Sequence, residues 1–130
     1  MISLFEYYNP NPQQKNVGDC VIRALTKALN RPWEDVYTEL VIQGLSMADL
    51  PSSNAVWSKY LINNGFTRYI LPNNCPDCYT VEDFATDNKI GCYVLATGSH
   101  AVCVDNGVIY DSWNSTKEIP IYYFQKEWNK

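Results

Sequence analysis

The helical and the strand-like segments of this chain are separated along the sequence. Apolar residues recur at helical spacing in three segments between positions 17 and 65. Short apolar runs bounded by turn residues follow, and Asp105-Asn106-Gly107 between two of these runs predicts a hairpin. Helices followed by antiparallel strands are typical of the α+β class. We therefore expect N-terminal helices packed on a twisted antiparallel sheet, with residues 1–130 forming one domain.

Turn and breaker residues indicate where the elements begin and end. The first helix is expected to end at Leu29, and the second helix is expected to start at Pro32 and to end at Gly44. The last strand, over residues 119–124, contains Pro120, which has no backbone N–H to donate. We therefore expect this strand at an edge of the sheet.

Composition and charge narrow the classes of function. The formal net charge is −4, and the ten Lys and Arg residues are scattered without a basic stripe, which argues against a nucleic-acid partner. No stretch has the length of a transmembrane helix, and the N-terminus does not resemble a signal peptide. We expect a cytoplasmic protein without a membrane partner, in which the five cysteines are free thiols by default.

Cys20 stands at the head of the first predicted helix, directly after its expected N-cap, Asp19. A thiol in this position feels the positive end of the helix dipole and unpaired N–H groups, which lower its pKa and favour the thiolate. The same N–H groups can stabilise an oxyanion beside the nucleophile. The alternative is a small buried residue that only packs against the core. The position of Cys20 therefore makes it a candidate nucleophile.

His100 is the only histidine, and it heads the strand-like run His100-Ala101-Val102. An imidazole can take the proton of a thiol and later give it to a leaving group. The predicted hairpin brings Asp111 to the adjacent strand, where a carboxylate would fix the tautomer and orientation of the ring. Trp113 would then shield this contact from water. The plain alternatives are a structural histidine, a turn aspartate and a core tryptophan.

Four short motifs, in the same order, resemble those of the papain-like cysteine peptidases. Gln14 stands six residues before Cys20, where that family has an oxyanion-donating Gln. His100 opens a His-Ala-Val strand, and Asp111-Ser112-Trp113 resembles the family's Asn-Ser-Trp with Asp in place of Asn. Asp19-Cys20 is similar to the Asp-Cys pair of small bacterial branches, such as the double-glycine leader peptidases of bacteriocin exporters.

The resemblance implies a papain-like fold and a thiol hydrolase that cleaves a peptide, isopeptide or amide bond in a peptide or protein substrate. It implies a catalytic triad of Cys20, His100 and Asp111. Gln14 and the Cys20 backbone N–H would form the oxyanion hole, with Asp19 and Trp113 completing the site. The resemblance implies no cofactor and no metal.

Two other interpretations stay open. The chain also resembles small proteins of phages and Gram-positive bacteria, which suggests a papain-like scaffold that binds a host or partner protein without catalysis. Residues 19–25 are similar to the nucleophile motif of the ovarian-tumour-type deubiquitinases, although the Gly-Asn between Asp and Cys is missing. That similarity implies an isopeptidase.

Cys75-Pro76-Asp77-Cys78 is a separate motif that needs its own interpretation. A Cys-x-x-Cys pair can be half of a zinc site or a redox dithiol. The sequence offers no evident second pair of zinc ligands, and the motif follows a Pro-Asn-Asn loop instead of a strand. We therefore expect a structural loop with two free thiols.

Overall fold

The computed structural model describes residues 4–72 and 75–127, which form four helices and six strands. The helices are α1 (Cys20–Leu29), α2 (Trp33–Ser46), α3 (Asn54–Asn63) and α4 (Val81–Asp87). The strands are β1 (Phe5–Tyr7), β2 (Phe66–Ile70), β3 (Cys92–Ala96), β4 (Ala101–Asp105), β5 (Val108–Asp111) and β6 (Tyr122–Lys126). The expected α+β class is confirmed.

The strands form one mixed sheet in the order β1-β5-β4-β3-β6-β2. The predicted hairpin is confirmed: β4 pairs antiparallel with β5, and Asn106 and Gly107 have φ angles of 50° and 79° in the turn between them. The expectation of an entirely antiparallel sheet is wrong at one edge, where β1 pairs parallel with β5. A parallel pair needs a long connection, and all four helices lie between these two strands in the chain.

Two expected boundaries are also wrong. β6 lies between β3 and β2, not at an edge, because Pro120 precedes the strand and interrupts none of its ladder hydrogen bonds. α2 continues past Gly44 to Ser46. A Cβ at Gly44 would lie 2.7 Å from the carbonyl oxygen of Asp49, so this glycine allows the α2–α3 loop to approach the helix.

Two apolar cores lie on opposite faces of the sheet. α1, α2 and α3 cover one face, where Leu25 and Phe124 are fully buried. α4 covers the other face, with Phe84 at its centre. The alternation of side chains along β3 sends Val94 to the first core and Leu95 to the second. The layers are therefore three helices, the sheet and one helix. α1 packs against β3, β4 and β5.

The structure joins Cys75 and Cys78 in a disulfide, so the expectation of two free thiols there is wrong. The spacing brings their Cα atoms to 4.5 Å, which a disulfide can bridge. Cys20, Cys92 and Cys103 are free. Within residues 4–72 and 75–127, no group of three or more His, Cys, Asp or Glu side chains could hold a metal ion. No helix in these two ranges has both the length and the apolar character needed to cross a bilayer.

Candidate active site

His100 and Asp111 meet at one end of the sheet. His100 directly precedes β4 and Asp111 ends β5, so the hairpin brings both residues to the same end of adjacent strands. Nε2 of His100 lies 2.7 Å from Oδ2 of Asp111. The backbone N–H of His100 donates to the hydroxyl of Thr97 at 3.1 Å, which anchors the turn before the strand. Since the carboxylate engages Nε2, the other ring nitrogen, Nδ1, is left to face a different partner.

That partner is Cys20, the first residue of α1. Its half-buried thiol lines the same cavity as His100 and Ala101, and hydrogen bonding with the His100 ring and with the Ala101 backbone N–H lowers its pKa. Burial opposes ionisation of the thiol, but the two hydrogen bonds and the positive charges of His100 and Arg23 outweigh it, so the pKa of Cys20 lies below its ordinary value. The arrangement therefore favours a thiolate, which is the nucleophilic form of cysteine.

The pKa values of His100 and Asp111 are shifted in the directions that a thiolate–imidazolium pair requires. Burial disfavours a charged His100, but its hydrogen bonds to Asp111 and Cys20 and their negative charges raise its pKa to about 9. Burial also disfavours a charged Asp111, but hydrogen bonds from His100 and Ser115 and nearby positive charge hold the pKa of its carboxyl below the usual value. His100 thus holds a proton at neutral pH, and Asp111 stays ionised beside it.

Asp111 is buried and accepts hydrogen bonds on both carboxylate oxygens. Oδ2 accepts from His100 and, at 2.6 Å, from the hydroxyl of Ser115. Oδ1 accepts the backbone N–H of Ser112 at 2.8 Å and Nε of Arg23 at 3.1 Å, and it forms an ion pair with Nη2 of Arg23 at 3.0 Å. These contacts leave the carboxylate little freedom to turn.

Asp19, directly before the nucleophile, is also buried. It holds the N-cap position of α1, but its side chain makes no capping hydrogen bond. Its Oδ1 instead accepts Nη1 of Arg23 at 2.8 Å, and its Oδ2 accepts the indole N–H of Trp33 at 3.0 Å. Asp19 is therefore an anchor for Arg23 and not a helix cap.

Trp113 lies over the base, as the sequence suggested. Its ring centroid is 4.9 Å from that of His100, with the two ring planes tilted by 44°. The other face of the indole is open, because the residue is 45% exposed. The ring therefore covers one side of the imidazole and limits the access of water to it.

The side-chain hydrogen bonds of Gln14 go to its own loop. It is exposed, and its φ angle of 56° lies in the left-handed region. Its side-chain amide donates to the carbonyl oxygens of Asn9 and Asn11 at 3.3 and 3.1 Å. Its role as an oxyanion donor stays a prediction.

A cavity of about 380 Å³ opens beside Cys20 and His100. Its walls come from α1, α2, α3 and the turn between β3 and β4. Most of the side chains that line it are apolar: Val21, Ile22, Tyr37, Leu40, Val41 and Trp57. Asp19 contributes to the wall, but its carboxylate is already paired with Arg23. The volume and the lining are those of a small-ligand or side-chain pocket.

Arg23, Ser115 and Trp33 belong to this site, although sequence reasoning assigned them no role. Asp19 and Arg23 are four residues apart on a helix start, a spacing that places opposite charges together. Ser115 follows Asp111 by four residues within a loop, which gives no comparable signal. The contact between Arg23 and Asp111 spans 88 residues and has no local signature at all.

Comparisons of this chain with protein-family models, with curated proteins and with solved structures gave no match. The chemical interpretation therefore starts from the contacts of Cys20, His100 and Asp111.

Proposed function

We propose that this protein is a thiol hydrolase with a papain-like fold, which cleaves a peptide, isopeptide or amide bond. The observation that carries the proposal is the row formed by the Cys20 thiol, the His100 ring that lines the same cavity and lowers the thiol's pKa, and the Asp111 carboxylate 2.7 Å from that ring. A nucleophile, a base and an orienting group in mutual contact are what acyl transfer through a thiol requires. The row lies at a cavity that can receive a substrate.

The proposed reaction has two steps. The Cys20 thiolate attacks the carbonyl carbon, and His100 gives its Nδ1 proton to the leaving amine as the carbon–nitrogen bond breaks. The acyl group is then held as a thioester on the sulfur. His100, now neutral, takes a proton from water, the resulting hydroxide adds to the thioester, and the carbon–sulfur bond breaks to release the acid. Cys20 is then a thiolate and His100 is protonated, as at the start of the reaction.

The oxyanion needs hydrogen-bond donors beside the sulfur. The backbone N–H groups in the first turn of a helix have no intrahelical acceptor, and that of Cys20 is one of them. It is the first donor in the proposal. Gln14 is the second, and to serve it must exchange its hydrogen bonds with the carbonyls of Asn9 and Asn11 for one with the substrate.

The cavity indicates which substrates fit. Apolar walls gain free energy by burying apolar surface, at about 25 cal/mol per Å², whereas a charged side chain would lose hydration against these walls. The proposed substrate therefore places an uncharged, apolar side chain next to the scissile carbonyl. Peptides with alanine, leucine or lysine at this position would rank the preference.

Alkylation by iodoacetamide tests the nucleophile without knowledge of the substrate. The rate at each cysteine is followed near neutral pH by mass spectrometry of the digested protein. His100→Ala should slow the labelling of Cys20 about tenfold or more, because the thiol loses the hydrogen bond and the charge that lower its pKa. Cys92 is the internal control, because it is free and half-buried as Cys20 is, and its rate should not change.

The same substitution decides between a hydrolase and a binding scaffold. If His100→Ala leaves the labelling of Cys20 unchanged, His100 does not activate the thiol, and the hydrolase proposal fails. If it slows the labelling, peptides with an apolar residue before the scissile bond are tested next for a Cys20 thioester. Cys20→Ser, which should form no thioester, is the control for that measurement.

A further inference from the structure

Arg23 lies between two buried carboxylates, and only 4% of its surface is exposed. Its Nη1 donates to Asp19 at 2.8 Å and its Nε donates to Oδ1 of Asp111 at 3.1 Å, while Nη2 forms an ion pair with the same oxygen at 3.0 Å. A buried cation is costly unless it is paired and hydrogen-bonded. Two of its nitrogens donate to carboxylates and a third forms an ion pair, so the guanidinium is held in one orientation.

The two carboxylates belong to different parts of the fold. Asp19 directly precedes the nucleophile at the start of α1, whereas Asp111 ends β5 and holds the base. Trp33, at the start of α2, fixes the second oxygen of Asp19. The guanidinium of Arg23 therefore connects the end of the helix that carries the thiol to the end of the strand that orients the imidazole.

The geometry of this connection also determines which way the Asp111 carboxylate turns. Oδ1 accepts hydrogen bonds from Nε of Arg23 and from the N–H of Ser112 and pairs with Nη2, so Oδ2 is left to face His100 and Ser115. A guanidinium presents donors in a rigid planar fork, whereas the ammonium of a lysine is a point charge on a flexible stem. An arginine can therefore hold both carboxylates in fixed directions, which a lysine does not.

We propose that Arg23 is a positioning residue of the site, which keeps Oδ2 of Asp111 pointed at His100 and ties the strand end to the nucleophile's helix. The catalytic meaning of this role rests on the proposed function, but the role itself concerns only the contact between His100 and Asp111. Arg23 touches neither the thiol nor the cavity beside it in the contacts of the described residues.

A purely electrostatic role predicts the opposite result to a positioning role. Removing a nearby cation by itself favours the protonated form of His100, and so would raise the pKa of its imidazole. Loosening the carboxylate that hydrogen-bonds to the imidazolium would lower that pKa toward its ordinary value. The sign of the change in the His100 pKa therefore separates the two roles.

The experiment is an NMR titration of His100, which as the only histidine gives unambiguous ring signals in ¹⁵N-labelled protein. The pKa is compared in the parent protein, Arg23→Lys and Arg23→Met. Arg23→Lys retains the charge and loses the fork, so the proposal predicts a fall of about one unit or more, a tenfold change in proton affinity. Arg31→Met, which breaks an ion pair between the α1–α2 loop and Glu39 of α2, is the control and should change nothing.

A His100 pKa that stays the same or rises in Arg23→Lys overturns the proposal. Arg23→Met leaves two buried carboxylates without a cation. In the folded variant, the proposal predicts that the His100 pKa falls here too. The parent protein supplies a second measurement that needs no variant. The Nε–H of Arg23 should exchange with solvent far more slowly than that of free arginine, and exchange at the free rate would also overturn the proposal.

Failure of the positioning role and failure of the proposed function are distinguishable. The titration of His100 reports on the base and its carboxylate even if Cys20 proves unreactive. Conversely, Cys20 could prove reactive while the His100 pKa in Arg23→Lys equals that in the parent protein. That result would support the hydrolase proposal and overturn the positioning role of Arg23.

Discussion

Nε2 of His100 and Oδ2 of Asp111 are 2.7 Å apart, although eleven positions separate the two residues in the chain. The antiparallel pairing of β4 with β5 makes this contact, because one residue precedes the first strand and the other ends the second. The ring is thereby fixed with its Nδ1 edge toward the start of α1. In the proposed reaction, Nδ1 is therefore the ring nitrogen that gains and loses the proton.

The first prediction concerns the pH dependence of the Cys20 thiol. Because its pKa lies below the ordinary value, the rate of alkylation should level off at a lower pH than that of a free cysteine, whose pKa is about 8.5. His100→Ala should move the curve back toward that of the free amino acid. Rates measured between pH 5 and 9 with the digested protein as reference would show this, and superimposable curves would contradict it.

Amide cleavage should show an additional limb on the alkaline side. The leaving amine needs the proton of His100, which is lost as the pH rises through about 9. Alkylation needs no such proton, so its rate should stay high where cleavage falls. A cleavage rate that keeps rising with pH past that value would show that His100 is not the acid.

The second prediction is that Asp111→Asn damages the site. Both sides of the carboxylate face donors: Arg23 and Ser112 on Oδ1, His100 and Ser115 on Oδ2. An asparagine must point its NH₂ group at one of these sets, whichever way it turns. The variant should lose about 3 kcal/mol or more of unfolding free energy, and its His100 pKa should fall toward 6.5.

Ser115→Ala is the matched control for that change. It removes one neutral donor from the same carboxylate and leaves its charge and its contact with Arg23 in place. The loss of unfolding free energy should be about 1.5–3 kcal/mol, the range for a hydrogen bond to a charged group. Urea denaturation gives both values, and equal His100 pKa values in the two variants would contradict the prediction.

The third prediction concerns the tryptophan that covers the base. Trp113 lies against His100 at 4.9 Å between ring centroids, with the ring planes tilted, but is 45% exposed, so Trp113→Ala should cost little stability, about 1 kcal/mol or less. The imidazolium loses a cation–π contact and gains water, and its pKa should fall by less than one unit, since the contact is worth about 0.5–1 kcal/mol. Trp113→Phe should retain most of the effect. A rise in the His100 pKa would show that the ring destabilises the charge.

The parts of the fold that local sequence determines were predictable. The Asn-Gly turn requires two positive φ angles, and this requirement is sufficient to indicate the β4–β5 hairpin and hence the meeting of His100 with Asp111. The parallel partner of β1 was not predictable, because a three-residue strand pairs across more than a hundred positions with no local signal. The role of Gly44 was missed for the same reason, since the group that approaches it lies in the following loop.

The site shows the same division between local and distant contacts. Cys20 and Asp19 follow from a helix start, and the hairpin accounts for the base and its carboxylate. The guanidinium of Arg23 joins these two halves across 88 residues, and no spacing rule indicates such a contact. Short motifs thus indicated Cys20, His100 and Asp111 as candidates, whereas the contacts of Arg23 became visible only in the fold.

The fourth prediction concerns Gly44, inside α2. Replacing a glycine by alanine in a helix interior ordinarily adds about 1 kcal/mol of stability. Here the new Cβ would lie 2.7 Å from a backbone oxygen of Asp49, and overpacking of this kind costs about 1–3 kcal/mol, so Gly44→Ala should destabilise the protein. Thr38→Ala, an exposed site on the same helix, is the control and should stabilise it slightly. Urea denaturation of both variants measures whether each substitution raises or lowers the free energy of unfolding.

Gly44→Ala should also separate substrate binding from the chemistry of the thiol. The loop that it pushes away carries Pro51 and Ser52, which line the cavity, whereas the contacts of Cys20 with His100 lie on α1 and the sheet. The pH dependence of Cys20 alkylation should therefore match that of the parent protein. The preference among peptides that differ in the apolar residue beside the scissile bond should change, because the cavity wall has moved. An altered alkylation curve with an unchanged peptide preference would show that the loop supports the thiol instead of the pocket.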